Sequence, residues 1–68
     1  MKAIVSLKDK SGQFAQVGGM LRTVVESQTE AGLVLQAERF AHGKAYRVEV
    51  YRDAERIYGT PDNVITHL

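Results

Sequence analysis

Ser27-Gln28-Thr29-Glu30-Ala31-Gly32-Leu33-Val34-Leu35-Gln36-Ala37-Glu38-Arg39-Phe40-Ala41-His42-Gly43 is the stretch on which the fold turns. It supports two readings. As a helix it begins with a capping box, Ser27-Gln28-Thr29-Glu30, in which a hydroxyl and a carboxylate satisfy the first free N–H groups. An apolar stripe follows at Leu33, Val34, Ala37, Phe40 and Ala41, and Gly43 stands where helices stop. As a strand the stretch alternates at Leu33, Leu35 and Ala37 after a turn over 28–32, and Ala41-His42-Gly43-Lys44 becomes a hairpin turn. Gly32 weakens the first turn of a helix, and Leu35 falls outside the stripe. The strand is therefore preferred. The fold class that follows is mostly β, a small antiparallel barrel or bent sheet. The alternative is an α+β fold with one helix at 28–42 packed on an antiparallel sheet.

C-terminal to this stretch the pattern is clearer. Tyr46 to Arg52 alternates, with Tyr46, Val48 and Val50 on one face and Arg47, Glu49 and Tyr51 on the other. Asp53-Ala54-Glu55 reads as a turn. Glu55 to Tyr58 reads as the returning strand, with Ile57 inward and Arg56 and Tyr58 outward. Gly59-Thr60-Pro61-Asp62-Asn63 then leads into a terminal apolar strand, Val64 to Leu68. N-terminal to the stretch, Lys2 to Lys8 is a strand with Ala3, Val5 and Leu7 toward the core and Lys2, Ser6 and Lys8 outward. Asp9-Lys10-Ser11-Gly12 is a turn signal. A helix through Phe14, Val17, Leu21 and Val24 is rejected, because Gly18-Gly19 inside it would cost about 2 kcal/mol. Met20 to Ser27 reads as a strand with Leu21, Thr23 and Val25 on one face.

The chain has 68 residues and one proline, with no linker and no repeat, so 1–68 is read as a single domain. So short a chain buries only about 60% of its unfolded surface. There are no cysteines, which excludes disulfides and thiolate zinc sites. Self-association is the remaining source of burial, and a homo-oligomer is expected. Nine Lys and Arg against eight Asp and Glu give a net charge of +1, spread without a basic block. Nucleic-acid binding is therefore not favoured as the partner class. No apolar run approaches the ~20 residues a membrane span requires. Nothing at the N-terminus reads as a signal peptide, so the expectation is a cytoplasmic protein without membrane contact.

The run Ile57-Tyr58-Gly59-Thr60-Pro61-Asp62-Asn63-Val64-Ile65-Thr66-His67-Leu68 resembles the end of SH3-like barrels. In that superfamily a strand leads into a Pro-containing 3₁₀ turn and a closing strand. The resemblance covers the C-terminal third of the chain and implies a small barrel. Trp is absent, and so is the acidic loop with its Trp pair, so recognition of proline-rich peptides is not implied. A narrower resemblance, through Tyr46-x-Val48-Glu49 and Ile57-Tyr58, is to the plasmid-borne type II dihydrofolate reductases. These are tetrameric barrels with a central pore whose active surface carries a Val-Gln-Ile-Tyr run. Here Glu55 and Arg56 replace its first two residues, which removes the glutamine that such a pore uses.

No motif fixes a chemistry. Ser6, Ser11 and Ser27 read as turn formers or caps. His42 reads as a turn residue or helix end, and His67 as a solvated edge residue. Gly12…Gly18-Gly19 lacks the Gly-Lys-Ser/Thr ending of a phosphate loop. Arg47, Tyr51, Arg56 and Tyr58 are the candidate binding residues. Aromatic and guanidinium groups side by side recur in interface hot spots, although paired arginines covering a sheet are the commoner sight. The resulting expectation is a non-catalytic protein-interaction module, of the adaptor or stoichiometric-inhibitor kind, with no cofactor and no metal. A nucleic-acid-binding barrel is the second reading and an oligomeric pore enzyme the third.

Overall fold

Ala3, Val5 and Leu7 alternate with Lys2, Ile4 and Ser6, so β1 (Lys2–Leu7) turns an apolar row to one side and a mixed row to the other. The computed structural model describes residues 1–68. In it β1 pairs antiparallel with β2 (Arg22–Glu26) on one flank and with β3 (Tyr46–Tyr51) on the other. β4 (Asn63–His67) continues the sheet beyond β3, in the order β2-β1-β3-β4. The sheet is antiparallel throughout and does not close into a barrel.

The stretch 27–43 is helical. α1 (Glu30–Ala41) buries Leu33, Ala37 and Ala41 against Ala3, Val5, Leu7, Tyr46, Val48 and Val50. The helix of the α+β alternative is thus the one formed, and the strand at 33–37 is not. Both residues that argued against it have physical reasons. A Cβ on Gly32 would lie 2.0 Å from Ser27 Oγ, so the glycine lets the helix start hard against the end of β2. Leu35 is simply exposed on the solvent side, as scattered surface leucines often are. The cap lies two residues later than the capping box suggested. Thr29 is the N-cap, and its Oγ1 accepts from the Gly32 N–H at 3.1 Å. His42 ends the helix in the left-handed region at φ 50°, its N–H bonded to the Glu38 carbonyl at 3.1 Å.

A second correction concerns 55–58. These residues do not return along β3. Asp53 accepts a hydrogen bond from the Glu55 N–H at 3.1 Å and starts a single 3₁₀ turn, Ala54–Arg56. A carboxylate at a turn start captures the donors that a hairpin strand would need. β4 takes the place beside β3 instead, with Val48 opposite Ile65.

The third correction is Ser6, which is wholly buried rather than outward. Ile4 and Tyr51, also pointing away from α1, are buried with it. Two loops cover this outer face. The β1–β2 connection folds back through a bridge between Lys8 and Phe14 and a bond from the Ala15 N–H to the Leu7 carbonyl at 2.9 Å. The β3–β4 connection is tied down by the Tyr51 hydroxyl, which donates to the Gly59 carbonyl at 3.0 Å. No helix is long and apolar enough to cross a membrane.

Candidate functional site

Strand register builds the site. Ser6 lies opposite Arg22 on one side and Arg47 on the other, and Ile4 lies opposite Val24 and Glu49. Directly opposed residues in a sheet hold their Cβ atoms about 5 Å apart. Two arginines therefore flank a buried serine in one row, with a carboxylate and two apolar side chains in the next. Glu49 Oε1 accepts from Arg47 Nη2 at 3.3 Å and lies 3.8 Å from Arg22 Nη2. Arg22 Nη1 also donates to the Gln16 carbonyl. The Phe14 ring packs under the Arg47 guanidinium, 5.5 Å from Cζ to the ring centre, within the range of a cation–π contact.

This cluster is undercompensated. Two guanidiniums share one carboxylate, a net charge of +1, with side-chain exposures of 19% for Arg22, 29% for Arg47 and 16% for Glu49. The Nε of both arginines and the Ser6 hydroxyl are buried without a hydrogen-bond partner. Such groups are costly, about 1–3 kcal/mol each. Ser6→Ala is accordingly expected to raise stability by about 1 kcal/mol in urea denaturation. A loss of stability would mean that the hydroxyl is in fact bonded.

Beside the cluster is a cavity of about 150 Å³, lined by Ile4, Gly18, Arg22, Thr23, Val24 and Tyr58. Tyr58 is 72% exposed and sits at φ 73°. A bulky side chain in the left-handed region is a backbone outlier, and such strain collects at functional sites. The fold thus sets an aromatic wall over an apolar floor, with a cation at one end.

The residues expected from the sequence meet different fates. Arg47 is in the cluster. Tyr51 shares its face, but it is a buried prop under the β3–β4 loop and offers no contact surface. Tyr58 reaches the cavity from the loop after the 3₁₀ turn. Arg56 stands exposed on that turn, and its side chain makes no hydrogen bond or ion pair. Sequence reasoning missed Arg22, Ser6, Glu49 and Phe14 as site residues. The signal for Arg22 was present, since the assignment of Thr23 and Val25 to one face puts Arg22 and Val24 on the other.

A second cavity, of about 260 Å³, opens at the end of α1 between Glu38, Ala41, Gly43, Lys44, Tyr46 and His67. The Tyr46 and His67 rings stack there, 5.2 Å apart. Burial, and then the Glu38 carboxylate, push the Tyr46 phenol above its ordinary value of 10.0. Burial, then Glu49, push Tyr51 the same way, with Arg22 opposing. Both phenols hold their protons more tightly folded than unfolded. Their contribution to stability is complete below pH 10 and is lost as pH rises through the folded values. Melting temperature is expected to fall above pH 10, in step with tyrosinate absorbance. A flat profile to pH 12 would contradict this. No group of three or more His, Cys, Asp or Glu side chains is placed to hold a metal ion.

Fold and site together describe an open antiparallel sheet with a helix on one face and a loop-covered, arginine-bearing pocket on the other. No family model, no curated protein and no solved structure matches the chain.

Proposed function

We propose that the chain is a non-catalytic protein-interaction module that engages its partner through the outer face of the sheet. One observation carries this reading: the half-buried Arg22–Glu49–Arg47 cluster adjoins a cavity walled by an exposed tyrosine in a strained backbone. Arginine and tyrosine around an apolar centre are the composition of binding hot spots. Val24 and Val64, both exposed in the row that also holds Ile4 and Glu49, extend the apolar area. The same face supplies the contact for self-association.

Affinity capture from the native host tests the reading. A partner recovered by the parent should be retained by Leu35→Ala, which alters the far side of α1. It should be depleted at least tenfold by Tyr58→Ala. Equal recovery by all three proteins counts against the outer face. Sedimentation of the same variants reports self-association, and only Tyr58→Ala should shift the mass toward 7.6 kDa.

A further inference from the structure

We infer that the cavity beside Arg22 receives an acidic residue and an adjoining aromatic or large aliphatic side chain from a segment of the partner protein. The inference rests on the interaction-module reading and adds the chemistry of what is bound.

The argument begins with charge. Glu49 is shared between two guanidiniums, and the Arg22 pair is the looser, at 3.8 Å. A carboxylate at the cavity end of Arg22 would bring the cluster from +1 to neutral. A partly desolvated guanidinium gains more from a charged acceptor than a solvated one does. Arg22 lines the cavity, and its Nε is buried without a partner, so the guanidinium nearest the cavity is incompletely compensated in the unbound chain.

Size and lining supply the second element. A cavity of about 150 Å³ has an apolar floor of Ile4 and Val24, and a space of that order accommodates a benzene-sized group. Tyr58 forms one wall, where an aromatic partner group gains edge or stacking contact. A phosphodiester chain fits less well. The Arg22–Glu49–Arg47 cluster carries one excess positive charge, with Lys8 over the Phe14 ring a further cation beside it, and the floor offers carbon where a nucleic-acid groove offers a stripe of cations.

Two-dimensional ¹⁵N–¹H NMR titration of the intact chain tests this with defined probes. Acetyl-Asp-Phe-amide should shift the amides of Gly18, Arg22, Val24 and Tyr58 saturably. Acetyl-Asn-Phe-amide and acetyl-Asp-Ala-amide should each bind at least tenfold more weakly. Arg22→Gln should abolish the preference for Asp over Asn. Tyr58→Gly relieves the positive-φ backbone and so keeps the fold, and it should abolish the preference for Phe over Ala. The inference is overturned by equal binding of the Asp and Asn peptides, or by the absence of saturable shifts at tens of millimolar. Tighter binding of inorganic phosphate would also overturn it, in favour of a nucleic-acid ligand. Tighter binding of phenylacetate would replace the peptide with a free aromatic acid. If the peptide fails while Tyr58→Ala still depletes the captured partner, the carboxylate chemistry falls and the outer-face reading stands. If the peptide binds while capture survives Tyr58→Ala, the reverse holds.

Discussion

Val48→Asp is expected to leave the chain unfolded in water at 25 °C. Val48 is wholly buried between β1 and β4, opposite Val5 and Ile65 and inside the cluster that α1 covers. No charged residue of the chain is buried, so that layer holds no cation to pair with a carboxylate. An unpaired buried carboxylate costs several kcal/mol, and the lost valine packing adds about 1–2 kcal/mol. Domains of this size have about that much stability in total. Circular dichroism should show loss of both helix and sheet. A cooperative melt near the parent's temperature would mean that the sheet faces are assigned the wrong way round.

Glu49→Ala, one residue on and facing the opposite way, is expected to cost about 2 kcal/mol, the size of leaving partly buried charges without their partner. The alternation of β3 alone would class this residue as outward and its loss as nearly neutral. The structure makes it the common ion-pair partner of Arg22 and Arg47, hydrogen-bonded to Arg47. Removing it leaves two half-buried guanidiniums facing each other across Ser6. Arg47→Gln should therefore be milder in the Glu49→Ala background than in the parent, a coupling that a double-mutant cycle measures. Additive effects, or a Glu49→Ala change within 0.5 kcal/mol as for ordinary surface sites, would show that the three charges are independent.

Much of the sheet is legible in the sequence because period-2 alternation is a local signal. β1 and β3 are read nearly to the residue, and the inward rows Ala3-Val5-Leu7 and Tyr46-Val48-Val50 are the core observed. The segment 27–43 is harder, because one of its two discouraging residues, Leu35, is merely exposed, and the other, Gly32, answers to a tertiary approach to Ser27 that helix propensity does not register. The turn at 53–56 is lost for a similar reason: Asp53 and Glu55 look like hairpin punctuation, yet the Asp53 side chain winds them into a 3₁₀ turn. The site is the least legible part. Arg47 and Tyr58 are reached from residue type and strand alternation, and the structure places Arg47 in the cluster and Tyr58 at the cavity. Their true neighbours, Arg22, Ser6 and Phe14, come together only through cross-strand register and a loop that folds back on β1. Burial of Ser6 follows from the same loop, and alternation alone points it to solvent.

The strand order has a consequence for how the chain comes off the ribosome. The middle pair of the sheet, β1 and β3, joins the start of the chain to its last third. While synthesis proceeds, β1 has β2 on one side and nothing on the other. The backbone edge of β1 that β3 will occupy stays unpaired until Val48 and Glu49 have been made. A half-paired apolar strand is a template for joining other chains, and non-local pairings are slow to form. A chain that lacks β3 is therefore the form most exposed to aggregation, and a truncation before residue 46 should aggregate where residues 1–68 do not.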